Sequence, residues 1–421
     1  MSRILFATLG SLGDLHPAIA LALELRRRGH QVGLGTSEFY RDKITALGLG
    51  FHPLPPAISL VDEAFVRQIM NGRRGTTWLL RDLMLPATRA LHAALAPVAA
   101  GADLLVASEL VYPAPILGEQ TGLPWVSYAL APVSLPSVHD PSLLPGPPGT
   151  HWVQSLGPAA NRLLLLAARA RTHGWWAPVR RLRRELGLPP GANPVFDGKY
   201  SPRLNLALFS PVLQPPQPDW PAATVQTGFP FYDESAANST PALPATVEAF
   251  LAAGPPPVVF TLGSAAVHIA DDFYVQAGRA AHLLGRRALL LLGRNPPPPG
   301  LPPSVFAWDY LPYALIFPRA AAIVHQGGVG TTAQALRAGR PQLVVPFAHD
   351  QPDNAARVTR LGVGRVLPRP RFREERVARE LAALFADPAV AALAADLGLR
   401  VQAERGVAAA CDALEGALRV S

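Results

Sequence analysis

The opening of the chain alternates between apolar runs and apolar residues at helical spacing. Ile4 to Thr8 is a short apolar run, GSLGD is a polar glycine turn, and PAIALALELRRRGH repeats its apolar positions every three or four residues. Gln31 to Gly35 then resumes a strand-like run, which predicts a βαβ unit and a parallel sheet. Further strands are expected at DLLVAS (103–108), PWVSYAL (124–130) and LNLALFS (204–210). A second series follows: PPPVVFTLGS (255–264), RRALLLLG (286–293), AAAIVHQGG (320–328) and PQLVVPF (341–347). Each run ends in a glycine-rich turn or a helical pattern, so the same α/β architecture is expected twice.

Proline and small polar residues gather between the two series, in QPPQPDWP (214–221) and TGFPFYDESAANSTPALP (227–244). This punctuation predicts a first domain over 1–225, a linker over 226–250, a second domain over 251–390 and closing helices over 391–421. A length of 421 residues favours more than one core, and 49% hydrophobic against 16% charged residues supplies enough apolar material to fill them.

The net charge of +8 would suit a nucleic-acid ligand, but only Lys43 and Lys199 are lysines. Arginine carries nearly all the basic charge beside abundant alanine and 46 prolines, a coding bias rather than a binding signature. No nucleic-acid partner is expected. The single cysteine, Cys411, forms no internal disulfide and is expected to be a small buried residue in a helix. The N-terminal apolar run is read as a first strand, not a signal peptide, and prolines break the uncharged stretch from Gln120 to His139. A cytoplasmic protein is expected. The basic amphipathic segment 161–187, with Trp175 and Trp176 near its centre, has two readings. It either packs on the first sheet with solvated arginines or forms an acceptor mouth peripherally touching the inner face of a membrane.

The chemistry concentrates in HQGGVGTTAQALRAGRPQLVVPFAHDQPDNAARV, from His325 to Val358. A strand ends at His325; Gly327, Gly328 and Gly330 let backbone approach a ligand; Val329, Thr331 and Thr332 open a helix. Free amides at a helix N-terminus, with the positive end of the dipole, suit a phosphate group. The lysine of a P-loop is absent, and the glycine spacing is not that of a dinucleotide fold.

This stretch resembles the donor signature of the UDP-glycosyltransferase superfamily, whose members have the GT-B fold of two Rossmann-like domains. The matching residues are His325, Gly327, Gly328, Gly330, Thr331, Thr332, Gly339, Pro341, Asp350 and Gln351. The resemblance implies that His325 and the amides from Gly328 to Thr332 bind a donor diphosphate, and that Asp350 and Gln351 take the sugar hydroxyls. It places Gly263 and Ser264 of FTLGS near the phosphates and Trp308 near the base. Many relatives have a ribose-binding glutamate where Gln334 stands here, a departure that hints at a deoxyribose donor such as a dTDP-sugar.

The same resemblance puts the catalytic base in GSLGDLHP (10–17), three residues before the proline, at Asp14, with Gly13 beside the donor. His16 is the rival, because its ordinary pKa of about 6.5 suits neutral pH better than about 3.9 for aspartate. Asp14 as the N-cap of the first helix is the structural alternative. Glu109 falls near where relatives place an acid that orients a base histidine.

An inverting hexosyltransferase follows from the resemblance, with a dTDP- or UDP-sugar as co-substrate, a hydrophobic small-molecule or lipid acceptor and no cofactor; no carboxylates at D-x-D spacing sit at a strand end, so it is expected to be metal-independent. LFSPVLQPPQPDWP with TGFPFYD (208–233), DFY (272–274) and AHDQPDNAARVTRLGVG (348–364) further resemble bacterial rhamnosyltransferases that act on hydroxy-fatty-acid lipids. The alternatives are a glucosyltransferase of a sterol, terpenoid or polyketide aglycone, a nucleotide-sugar 2-epimerase, and a non-catalytic activator of a companion enzyme.

Overall fold

The computed structural model describes residues 1–58, 62–143, 155–233 and 242–419. Two all-parallel sheets organise it. The first holds β1 (Arg3–Ala7), β2 (Gln31–Thr36), β3 (Gly50–Pro53), β4 (Leu104–Ser108), β5 (Trp125–Ala129), β6 (Asn205–Ala207) and β7 (Thr224–Gln226), in the order β3-β2-β1-β4-β5-β6-β7. The second holds β8 (Val258–Thr261), β9 (Ala288–Leu291), β10 (Val305–Trp308), β11 (Ala322–His325), β12 (Gln342–Val344) and β13 (Gly364–Val366), in the order β10-β9-β8-β11-β12-β13.

Helices cover both faces of each sheet, which is why the strands read as apolar runs and not as alternating patterns. In β1, Leu5 and Ala7 join one core while Ile4 and Phe6 join another on the opposite face. In β8, Val258 and Phe260 pack on one side and Val259 on the other. The strand order reverses between β1 and β4 in the first sheet and between β8 and β11 in the second. Chain crossovers diverge at such points and leave a crevice beyond the strand C-termini. The segments that follow β1, β4, β8 and β11 carry Asp14 in the first turn of a helix, and Glu109, Ser264 and Gly328 in turns, so the topology alone gathers the candidate residues.

The first helix spans Leu12–Arg27 and starts five residues before the expected Pro17. Ser11, not Asp14, is its N-cap: the Ser11 hydroxyl accepts from Gly13 N, and the Asp14 carboxylate accepts from Ser11 N in a capping box. Strands β3, β7, β10 and β13 lay outside the sequence reading. Three or four residues long, they carry too little pattern to stand out, and β3 (GFHP) contains both glycine and proline. LNLALFS yields a strand only over Asn205–Ala207.

Helix Pro388–Gln402 packs on the second domain, placing Ala394, Leu397 and Val401 against Ala333 and Leu336. The last helix, Gly406–Arg419, lies on the first domain instead: Ala410, Cys411, Leu414 and Ala417 share a core with Ile4, Phe6 and Leu15. Cys411 is a buried helical residue, as expected. Among the described residues no single helix is long and apolar enough to cross a membrane.

Candidate active site

A cleft of about 1680 Å³ opens between the two sheets at their strand C-termini. Its floor on the first domain is the N-terminus of the first helix. The Asp14 Oδ2 atom accepts from Ser11 N at 2.8 Å and from the Ser11 hydroxyl at 3.3 Å. A Cβ on Gly10, whose φ is +140°, would fall 2.2 Å from that oxygen, so glycine is required for the carboxylate to fold back over the turn. Burial pushes the Asp14 pKa up to about 6, with a smaller upward contribution from the Glu109 charge. His16 also lines the cleft, its ring 5.0 Å from that of Tyr232.

Glu109 reaches the cleft wall but is committed elsewhere. Its Oε2 accepts from Lys199 Nζ at 2.6 Å and its Oε1 from the Ser134 hydroxyl at 2.5 Å. Burial opposes its ionised form, yet the Lys199 ammonium and these bonds bring its pKa below the ordinary glutamate value. The expectation that Glu109 orients a base histidine gives way to a half-buried ion pair on the first-domain side of the cleft.

The opposite wall is the signature helix, Val329–Arg337, capped by Gly328. Helix geometry leaves its first-turn amides without intrahelical partners. Val329 N donates to Asp350 Oδ2 at 3.1 Å, and the amides of Gly330 and Thr331 sit at the cleft face. A Cβ on Gly330 would lie 3.9 Å from Gly13 Cα, so the N-termini of the two helices meet across the cleft. Two positive dipole ends converging on one spot suit an anionic group such as a diphosphate. Gly263 and Ser264, in the turn after β8, line the same space. Gly263 has φ +66°, and a Cβ there would strike the Gln326 side chain at 2.2 Å.

Several donor candidates prove to be supports. His325 is fully buried, and both of its ring nitrogens are used inside the domain. Its Nδ1 accepts from Gly327 N at 3.1 Å and its Nε2 pairs with the side-chain oxygen Oε1 of Gln342 at 2.9 Å. Burial lowers its pKa to about 4, so the ring is neutral and has no hydrogen left to offer a diphosphate. The expected direct contact is corrected to a brace that shapes the Gly327–Gly328 turn. Gly327, at φ +87°, lies behind that turn, where a Cβ would meet Val344 at 2.7 Å. Thr332 is buried in the helix, not at the cleft. Trp308 stacks on Phe306, 5.9 Å between centroids, and does not line the cleft; Tyr310 and Tyr313 occupy that rim.

Asp350 and Gln351 begin the helix Gln351–Arg360 and face the cleft beside Gln334. Asp350 Oδ2 accepts from Val329 N and from Asn354 Nδ2 at 2.7 Å, and Asn354 also holds the Gly327 carbonyl at 2.9 Å. Burial pushes the Asp350 pKa up to about 7, and the facing charge of Asp14 adds to the rise. Gln351 Oε1 accepts from Phe347 N and Ala348 N. Sequence reading missed Gln326, His349 and Asn354, although the i, i+4 spacing from Asp350 to Asn354 on a helix was available.

Aliphatic and aromatic residues line the first-domain side of the cleft, including Phe39, Ile69, Leu80, Tyr112 and Phe196. Within segment 161–187, helix Pro158–Thr172 turns Leu164, Leu165 and Ala168 to the cleft and leaves Leu163 and Leu166 exposed. Helix Ala177–Glu185 packs inward through Val179 and Leu182, with Trp176 buried beside it.

Comparison with known proteins agrees with this arrangement. Residues 4–139 match the glycosyltransferase family 28 N-terminal domain, and residues 294–408 match the erythromycin biosynthesis protein CIII-like C-terminal domain. An O-mycaminosyltylonolide 6-deoxyallosyltransferase of Streptomyces fradiae is 36% identical over 98% of this chain and 97% of its own length. The crystal structure of the glycosyltransferase of kitacinnamycin superposes with a TM-score of 0.72 at 23% identity, covering 99% of both chains. That of the glycosyltransferase VinC in complex with dTDP gives 0.68 at 21%, covering all of both chains. The chain therefore belongs to the antibiotic-type glycosyltransferases of the GT-B fold, which join a family 28 N-terminal domain to an erythromycin CIII-like C-terminal domain, and it is a glycosyltransferase.

Proposed function

We propose that the cleft transfers a hexose, with inversion, from a dTDP- or UDP-sugar to a hydroxyl of a hydrophobic secondary metabolite. The observation that carries this reading is the meeting of two helix N-termini across the cleft, each with a partly desolvated carboxylate beside it. The diphosphate lies against the Gly328–Thr331 turn, where the amides of Val329 and Gly13 are already held by Asp350 and Ser11, and beside Ser264. Asp350 and Gln351 bridge sugar hydroxyls. Asp14 takes the proton of the acceptor hydroxyl as its oxygen attacks the anomeric carbon and the bond to the diphosphate breaks. Asp14 is favoured over His16 as base because burial has moved its pKa toward neutrality while its carboxylate faces the helix ends that fix the donor.

Similarity to a 6-deoxyallosyltransferase supports a deoxyhexose, and a dTDP-bound fold neighbour with Gln334 in place of a ribose-binding glutamate supports a thymidine donor. Thermal shift with dTDP-, UDP- and GDP-sugars tests it: a dTDP-sugar is expected to stabilise the protein most. Stabilisation by none of them would overturn the enzymatic reading of the cleft. The helix amides supply the charge neutralisation a metal would otherwise give, so we expect the full rate in excess chelator. A rate abolished by chelator and restored by manganese would refute that.

A rhamnosyl donor with a hydroxy-fatty-acid acceptor is the second reading, favoured by the apolar acceptor wall and by the exposed leucines and arginines of helix Pro158–Thr172. Peripheral membrane contact through 161–187 belongs to it. Co-sedimentation with anionic phosphatidylglycerol vesicles, lost in Leu163→Glu/Leu166→Glu, is the expected result, and no binding by the wild type would remove it.

A further inference from the structure

The turn and helix that carry Asp350 and Gln351 are gripped on two sides by the acceptor domain. On one side His349 sits in a left-handed backbone conformation, φ +58°, which a non-glycine residue holds only when its surroundings enforce it. Its ring enters the first domain, where Nδ1 lies 3.1 Å from the Thr76 hydroxyl and the ring also hydrogen-bonds the Ile69 backbone. Packing is tight here: a Cβ on Gly72 would fall 2.7 Å from the Phe347 carbonyl oxygen. Ile69 and Thr76 line the first-domain side of the cleft.

On the other side Arg357, 1% exposed, is held between the domains. Its Nε donates to Asp353 Oδ2 at 2.9 Å within the helix, and its Nη1 donates to Asp140 Oδ2 at 2.6 Å in the loop after β5. Leu143 N donates to Asp353 Oδ1 at 2.8 Å, Arg360 pairs with Asp140 Oδ1 at 2.9 Å, and Gln214 Nε2 donates to Asp140 Oδ2 at 2.9 Å. Pro141 and Ser142, in the same loop, line the cleft. A buried guanidinium with two carboxylates is a directional joint: it is satisfied in one geometry and costly in any other.

We propose that His349 and the Asp140–Arg357–Asp353 network form a two-sided clamp through which acceptor-lining segments of the first domain set the position of the Asp350–Gln351 turn. The inference rests on the reading of that turn as the sugar-recognising element. It makes His349, Asp140 and Arg357 positioning residues, distant from the reacting atoms yet able to change how the sugar is held. The nucleoside diphosphate, bound mainly by the signature helix and the β8 turn, does not depend on the clamp. The sugar does.

The test compares affinity for dTDP with affinity for dTDP-glucose, and for UDP with UDP-glucose, in the wild type, Asp140→Asn, Thr76→Val and Asp140→Glu. In Asp140→Asn the nucleotide affinity is expected to stay within about twofold, while the gain from adding the sugar shrinks about tenfold. Thr76→Val is expected to act in the same direction, and Asp140→Glu to recover most of the gain. Equal losses for nucleotide and nucleotide sugar, or an unchanged gain, would overturn the clamp. Hydrogen exchange of the 347–357 amides supplies a readout independent of any ligand. Exchange about tenfold faster in Asp140→Asn, with the signature helix unchanged, is expected; wild-type exchange there sinks the proposal. If the wild type binds neither sugar nucleotide, the donor reading fails, and hydrogen exchange still decides the clamp.

Discussion

Asp14→Asn is expected to lower kcat by about 10²–10⁴-fold while making the ligand-free protein slightly more stable at neutral pH. Loss of rate follows from removing the group that accepts the acceptor's proton. The gain in stability follows from the direction of the pKa shift. Burial raises the Asp14 pKa from 3.8 to about 6 in the folded state. A raised carboxylate pKa favours folding below the unfolded value, and that contribution is lost as pH rises through about 6. At pH 7.5 the ionised side chain is therefore a burden. That rise corresponds to ~3 kcal/mol at full burial, and the partial exposure of Asp14 at the cleft reduces this to ~1 kcal/mol. Asparagine cannot ionise, and its amide oxygen can still accept from Ser11 N to keep the capping box. Calorimetry at pH 7.5 and pH 4 checks the sign: the variant should melt higher at the first pH and level with the wild type at the second. Wild-type turnover in the variant would transfer the base role to His16.

Much of the cleft's lining was legible because it is built from glycine turns and helix starts. Glycines at 327, 328 and 330 followed by threonines announce amides at a helix start, and the structure puts those amides at the cleft with Asp350 and Gln351 beside them. The errors came from residues whose type suits a ligand but whose environment was invisible in one dimension. His325 ends a central strand, so its ring points into the domain where Gln342 and Gly327 consume both nitrogens. Trp308 ends β10 at the sheet edge, where stacking on Phe306 decides its direction. Glu109 was placed at the right strand end, but its partner Lys199 lies ninety residues away, beyond any periodicity signal.

The fold was legible for a related reason. Parallel strands buried on both faces leave continuous apolar runs, so the long central strands stood out and the short edge strands did not. What no local pattern carries is the relation between the halves. The last helix returns to the first core through Ala410, Cys411, Leu414 and Ala417, and Asp140 reaches Arg357 across 217 residues of chain. Such contacts are set by the packing of whole domains. The cleft they create raises the carboxylate pKa values on which the proposed chemistry depends.

Asp350→Asn should separate recognition of the sugar from recognition of the nucleotide. Hydrogen bonds to an ionised group contribute about 1.5–3 kcal/mol, so kcat/KM for the sugar nucleotide is expected to fall about 10–100-fold. Affinity for the free nucleoside diphosphate should hold or rise, because the substitution removes a negative charge from beside the phosphate site; calorimetric titration with dTDP and dTDP-glucose reads the two separately. Equal weakening of both ligands would mean that Asp350 supports the signature turn through Val329 and Asn354 and does not read the sugar. The pH profile adds a second discriminator. With Asp350 raised to about 7 and Asp14 to about 6, and each charge disfavouring the other, the pair titrates in two linked steps. Wild-type kcat/KM should therefore rise with pH across both steps as the two carboxylates ionise. In Asp350→Asn the upper step disappears and the remaining one stays at about 6, because Asp14 ionises first, while Asp350 is still protonated.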